Sequence, residues 1–108
     1  MTRQTVLIVD DEPQIQRFLG HALTAAGYDT LSAANGHEAL ALADSQDPDL
    51  MILDLGLPDM NGKEVIERLR LRSDMPVIVL SAHDQEMEKI MALDLGADDF
   101  VPKPLSLI

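Results

Sequence analysis

None of the 108 residues is a cysteine. Neither a disulfide framework nor a thiolate metal site can be built from such a chain. Basic residues are scarce as well. Only 8 Lys and Arg stand against 19 Asp and Glu, a formal net charge of −11. Gripping a phosphate backbone needs clustered Lys and Arg, so this segment is not itself a nucleic-acid-binding surface. Long hydrophobic runs are missing too. The apolar stretches stop at four or five residues, whereas a membrane span needs about twenty. The N-terminus has no signal-peptide pattern, so a cytoplasmic protein without membrane contact is expected. There is no internal repeat, low-complexity tract or linker. A chain of 108 residues suffices for one domain with one core and not for two.

What the chain does have is 46% hydrophobic residues, the proportion of an ordinary globular domain rather than of a disordered acidic tail. The organising stretch is Val6-Leu7-Ile8-Val9 followed by Asp10-Asp11-Glu12. Four apolar residues in a row, three of them β-branched, read as a strand buried on both faces. Its end in adjacent carboxylates places negative charge at the rim of a core, where desolvation and mutual repulsion oppose it. A divalent cation bound by oxygen ligands is the natural complement. Taken alone, the stretch is equally well read as a strand followed by a solvated acidic turn.

The pattern recurs along the chain. Pro13 suits the first turn of a helix. Ile15, Phe18, Leu19, Ala22, Leu23 and Ala26 continue it as an apolar stripe, and Gly27 closes it. Residues 28–33 form a weaker strand signal, Asn35-Gly36 a turn, and Glu38 to Ala43 a short helix closing at residues 46–48. Leu50-Met51-Ile52-Leu53 is a second continuous apolar run and it ends in Asp54. A Gly- and Pro-rich loop leads to a helix over Lys63 to Arg72, with Val65, Ile66 and Leu69 facing inward. Val77 to Leu80 is a strand ending in Ser81. Asp84 or a neighbour caps a helix running to about Leu95, which Gly96 terminates. Phe100-Val101 is a short fifth strand, followed by Pro102-Lys103-Pro104.

Strands alternating with helices at this spacing predict an α/β, doubly wound, five-stranded parallel sheet covered on both faces. Right-handed crossovers put the second, third and fourth helices on one face and the first on the other. All strand ends then lie along one edge, where ligands bind such sheets. Asp10, Asp11, Asp54, Ser81 and Lys103 converge there. Asp11 and Asp54 suit a hard cation such as Mg2+ as direct ligands, with Asp10 holding a metal-bound water. An Asp carboxylate is a competent nucleophile towards phosphorus and gives an acyl phosphate. Ser81 can hydrogen-bond a phosphoryl oxygen, and Lys103 can bring a mobile positive charge to another. A cis Lys103-Pro104 bond would aim the lysine back at the site.

These motifs resemble the receiver domain of two-component response regulators. The matching segments are Asp10-Asp11, Asp54 within Leu-Asp-Leu-Gly-Leu-Pro-Asp, Ser81-Ala82, Gly96-Ala97-Asp98-Asp99-Phe100 and Lys103-Pro104. The resemblance covers the whole chain and implies a flavodoxin-like (CheY-like) three-layer α/β/α fold. It implies Asp54 as phospho-acceptor, Asp10 and Asp11 as the acid pair, and the Gly56 backbone carbonyl as a metal ligand. It also implies Ser81 as switch hydroxyl and Phe100 as switch aromatic. A sensor histidine kinase is the implied phosphoryl donor. The Gly-Ala-Asp-Asp and Pro-Lys-Pro segments are similar to the OmpR/PhoB group of transcription factors, and other segments to its potassium-responsive member. That group implies a homodimer on phosphorylation, with Lys89, Asp98 and Asp99 as ion-pair members. Leu105 departs from the family, which usually has Phe there.

Blander roles compete at several positions. Phe100 alone is most simply a core residue. His21, His37 and His83 show no ligand spacing and read as structural or surface residues, and Lys63 and Lys89 as solvated helix residues. The helix bearing Met87, Ile90, Met91, Leu93 and Leu95 has more apolar residues than one stripe needs, and reads either as broadly buried or as a partner surface. Two rival functions fit less well. An acyl-phosphate hydrolase usually carries a second acid two residues after its nucleophile, where this chain has Gly56. A flavodoxin-like nucleotide binder needs a glycine- or hydroxyl-rich cradle after the first strand. The sequence stops at Leu105-Ser106-Leu107-Ile108, where a fifth helix should begin. The expectation is therefore a receiver over residues 1–108 with its fifth helix truncated, the N-terminal part of a longer protein with a C-terminal winged-helix DNA-binding domain.

Overall fold

A computed structural model describes residues 3–81 and 86–102. Strands and helices alternate as β1 (Thr5–Val9), α1 (Pro13–Ala25), β2 (Asp29–Ala33), α2 (Gly36–Gln46), β3 (Leu50–Asp54), α3 (Gly62–Arg70), β4 (Val77–Ser81), α4 (Glu86–Asp94) and β5 (Asp99–Pro102). The five strands form one sheet in the order β2-β1-β3-β4-β5, and every neighbouring pair is parallel. The strand order reverses direction between β1 and β3, so the crevice of a doubly wound sheet opens where those two strands end.

The continuous apolar runs are buried because helices cover both faces. Leu7, Val9, Met51, Leu53, Val77, Val79 and Phe100 point to one side, against Ala39 and Ala43 of α2, Val65, Ile66 and Leu69 of α3, and Ala92 of α4. Val6, Ile8, Ile52 and Leu80 point to the other, where Leu19 and Leu23 of α1 pack on them. The partition of helices between the faces is the one that right-handed crossovers require.

Two expectations about helices are corrected. Phe18 was expected in the buried stripe of α1 but is 41% exposed, and Ile15 is the residue of α1 that is buried. With Leu19 and Leu23 half-buried, the contact stripe of α1 is narrower than its apolar content. On α4 the broadly buried reading fails: Met87, Ile90, Met91 and Leu93 are all exposed, while Ala92 is fully buried. The helix thus meets the core through Ala92, and its larger apolar side chains face outward. Asp84, expected to cap this helix, and His83 lie outside the described residues. The same holds for Leu105 and the segment expected to open a fifth helix.

Candidate functional site

The site is assembled from three strand ends. β1 delivers Asp10, β3 delivers Asp54 and β4 delivers Ser81, and these are the buried polar residues among those described. Asp10 is 1% exposed and Asp54 6%. Leu53 pairs with Val9 across β1–β3 and Asp54 with Leu80 across β3–β4, so Asp54 sits between the other two strand ends. Carboxylate oxygens of Asp10, Glu12 and Asp54 all lie within 4.8 Å of one another. Such an all-oxygen donor set fits a hard divalent cation, which would also relieve repulsion among the acids.

Glu12 was not singled out from sequence, and Asp11 takes a different place from the one expected. Asp11 is exposed and lies outside this group. The reason is local. The Glu12 N–H donates to Asp10 Oδ1 at 2.9 Å, closing a tight turn that points the residue between them outward and brings Glu12 back. As third in an acidic triplet, Glu12 was legible as a candidate. The Gly56 N–H donates to Asp54 Oδ1 at 3.3 Å. Lys103 and the Lys103-Pro104 bond lie outside the described residues.

Phe100 is 8% exposed and belongs to the core on the α2–α4 side. The residue that the resemblance implies as the switch aromatic thus lies inward, in the core. The Asp98 carboxylate, exposed on its outer side, accepts the Val77 N–H at 2.8 Å and Arg70 Nη2 at 3.3 Å. Asp99 Oδ1 accepts the Phe100 N–H. Lys89 is exposed on α4.

The loop after Asp54 is fastened from two sides. Asp59 accepts the Gly36 and His37 N–H groups at the start of α2, at 2.7 and 2.9 Å, and its Oδ2 lies 2.5 Å from His37 Nδ1. These donors, the Gly36 N–H first, hold the Asp59 carboxyl well below the usual carboxylate range. His37 is at the surface as expected, yet engaged. On the other side, Gly62 brings α3 against the backbone of Leu55 and Asp54, with no room for a side chain. The Asp59 tie has no signature in local sequence, since it joins segments more than twenty residues apart.

A doubly wound parallel sheet with buried acids and a hydroxyl at its carboxyl edge defines the class of phosphoryl-accepting switch modules. Residues 6–107 match the model of the response regulator receiver domain, and the chain belongs to that family. It is a phosphoryl-accepting signalling domain of two-component systems. It is 51% identical over 102 residues to the transcriptional regulatory protein KdpE of Mycobacterium tuberculosis, covering 94% of this chain and 45% of that protein. The chain thus spans about half the length of the curated relatives it matches. Among solved structures, a CheY-like receiver domain from Methanospirillum hungatei superposes with a TM-score of 0.91 at 31% identity, covering 97% of this chain and 85% of that one. The CheX–CheY–BeF3–Mg2+ complex from Borrelia burgdorferi gives 0.89 at 30% identity, covering 95% and 80%.

Proposed function

We propose that Asp54 is the phospho-acceptor of this receiver. The observation that carries this reading is its position: buried at the end of the central strand β3, with its carboxylate among those of Asp10 and Glu12. An Asp54 oxygen attacks the phosphorus of a phosphohistidine on a sensor histidine kinase. The new O–P bond forms as the P–N bond breaks, and the imidazole leaves with the electron pair. The product is an acyl phosphate, and the domain is not a turnover enzyme. Ser81 donates its hydroxyl to a phosphoryl oxygen, and Lys103 brings a cation to another. Bound Mg2+ supplies neutralisation of charge that develops on the transferring group. Its proposed ligands come from Asp10, Asp11, Glu12, Asp54 and the Gly56 carbonyl. The Borrelia complex, described with BeF3 and Mg2+, supports that choice of ion.

The output follows the family. Two states of Ser81, Phe100 and α4 are biased by the phosphoryl group. The state described here has Phe100 inward. The exposed apolar residues of α4, with Lys89, Asp98 and Asp99 nearby, form the proposed homodimer surface. Asp98 joins an intermolecular ion pair only by sharing its carboxylate with Arg70. As in transcriptional regulators of this kind, the chain acts in the cytoplasm as the N-terminal receiver of a longer protein. DNA contact belongs to a C-terminal winged-helix domain outside this sequence.

The test is intact mass after incubation with acetyl phosphate, with and without Mg2+. One phosphoryl group should be added in the presence of Mg2+ and none to Asp54→Asn. Equal uptake by that variant would move the acceptor elsewhere.

A further inference from the structure

We infer that Gln16 is a positioning residue for the acid site, its side-chain amide fixing the strand ends that aim Asp10 and Glu12. Gln16 lies on α1 and is half-buried. Its Nε2 is 2.9 Å from the Ile8 carbonyl oxygen, 3.1 Å from that of Asp10 and 3.0 Å from that of Ala33. Three carbonyl oxygens around one atom identify it as the nitrogen. One amide group therefore joins the end of β1, the first residue of the acid triplet and the end of β2. The Asp10 N–H donates to the same Ala33 oxygen at 3.0 Å. The Gln16 backbone N–H donates to the Glu12 oxygen at 3.2 Å. That bond is the first of the helix and any residue here would make it, so what Gln16 itself adds is the side-chain hold on the carbonyls of Ile8, Asp10 and Ala33.

The chemistry of an amide suits this task. It donates to carbonyls without adding charge, so the field of the clustered carboxylates is left intact for a cation. A lysine or arginine at this position would compete with that cation. A hydrocarbon of the same length would leave the strand ends without their shared donor, and the turn from Asp10 to Glu12 free to shift. Groups that orient the ligands of a metal site typically change its affinity when removed. Sequence spacing does not reveal such a role, because two of the acceptors lie on different strands.

This inference rests on the reading that the Asp10–Glu12–Asp54 cluster holds Mg2+, and the experiment separates the two. Mg2+ binding is measured by calorimetry on the parent chain, Gln16→Met, Gln16→Asn and Leu23→Ala. Leu23 sits on the same helix and packs on the sheet away from the acids, so Leu23→Ala reports the effect of a loosened α1 alone. Both Gln16 variants should weaken Mg2+ binding about tenfold, the low end for groups that orient metal ligands. Leu23→Ala should lower the melting midpoint and leave affinity unchanged. At saturating Mg2+, Gln16→Met should reach the parent's extent of phosphorylation by acetyl phosphate, a split that global destabilisation would not give. A parent that does not bind Mg2+ overturns the reading of the site. A parent that binds, with both Gln16 variants matching it, overturns the role of Gln16. So does an equal loss in Leu23→Ala. Should Gln16→Met not fold, Gln16→Asn, too short to span both strand ends, decides alone.

Discussion

Gly62 carries no side chain because β3 and α3 meet there backbone to backbone. A Cβ at this position would lie 2.7 Å from Leu55 Cα and 2.8 Å from the Asp54 carbonyl oxygen. Both are main-chain atoms, so Gly62→Ala must displace the end of β3. The expected cost is about 1–3 kcal/mol of stability together with slower phosphorylation, read by denaturant melts and acetyl phosphate kinetics. A parent-like variant would mean that the loop yields without moving Asp54. Asp59 makes a pH-dependent contribution whose sign is set by its lowered carboxyl pKa. The stability it adds is fully present above the ordinary value of 3.8 and is lost as pH falls through the lowered folded value. Melting midpoints of the parent and Asp59→Ala should therefore differ at pH 5 and above, and converge in stronger acid. A gap that persists there would contradict the amide bonds as its source. Asp11 and Glu12 compete for one role. Fixing the shorter side chain costs less rotamer entropy, so Asp11→Ala should lose more Mg2+ affinity than Glu12→Ala. The reverse order would make Glu12 the ligand, beside Asp10 and Asp54.

The elements differ in how much they could be read from sequence. The four-residue apolar runs became β1, β3 and β4 with their ends at Asp10, Asp54 and Ser81, because a strand buried on both faces has no polar residue to blur its limits. Helix α3 was legible for the related reason that Val65, Ile66 and Leu69 alternate with charged residues around one face. Helix α4 was not, since its apolar residues lie all round it and hydrophobicity alone cannot say which face meets the sheet. Its exposed side implies that Ile90→Glu should change stability by less than about 0.5 kcal/mol, as at other surface positions, while lowering any phosphorylation-dependent association in sedimentation. A large loss of stability would place Ile90 in a packed contact. The other end of α3 is tied by Arg70, which donates to the Gly96 oxygen through Nε and Nη2 at 3.2 and 2.8 Å, to the Ser73 oxygen at 3.2 Å and to Asp98. Gly96 has φ +118, and a Cβ there would meet the Arg70 side chain. Arg70→Met keeps the apolar stem and removes these donors. It should cost about 1–3 kcal/mol for the acceptors left without them. A silent substitution would mean that water replaces the guanidinium. Ties of this kind, like that of Gln16, join side chains to distant main-chain atoms and leave no periodic trace in the sequence.

At the scale of the whole molecule, 19 acidic residues and a net charge of −11 oppose the compact state, and three of those carboxylates, on Asp10, Glu12 and Asp54, are gathered within 4.8 Å of one another at the sheet edge. Two kinds of cation effect should therefore be separable. Simple salt screens the surface charges over a Debye length of about 10 Å at 0.1 M, raising the melting midpoint without regard to the site. A cation bound only by the folded state stabilises in addition by mass action. At ten times its dissociation constant the gain is about 1.4 kcal/mol. For a domain of this size that corresponds to about 6–11 °C in midpoint. The prediction is that Mg2+ raises the midpoint beyond NaCl at equal ionic strength, and that Asp54→Asn abolishes the excess while retaining the NaCl effect. That variant should also start from a higher midpoint without Mg2+, because it removes one of the close buried carboxylates and with it part of their repulsion. Thermal melts of the two proteins in the two salts supply the measurement. If Mg2+ and NaCl act alike on the parent, the acids at the sheet edge behave as diffuse surface charge and the cation has no site there.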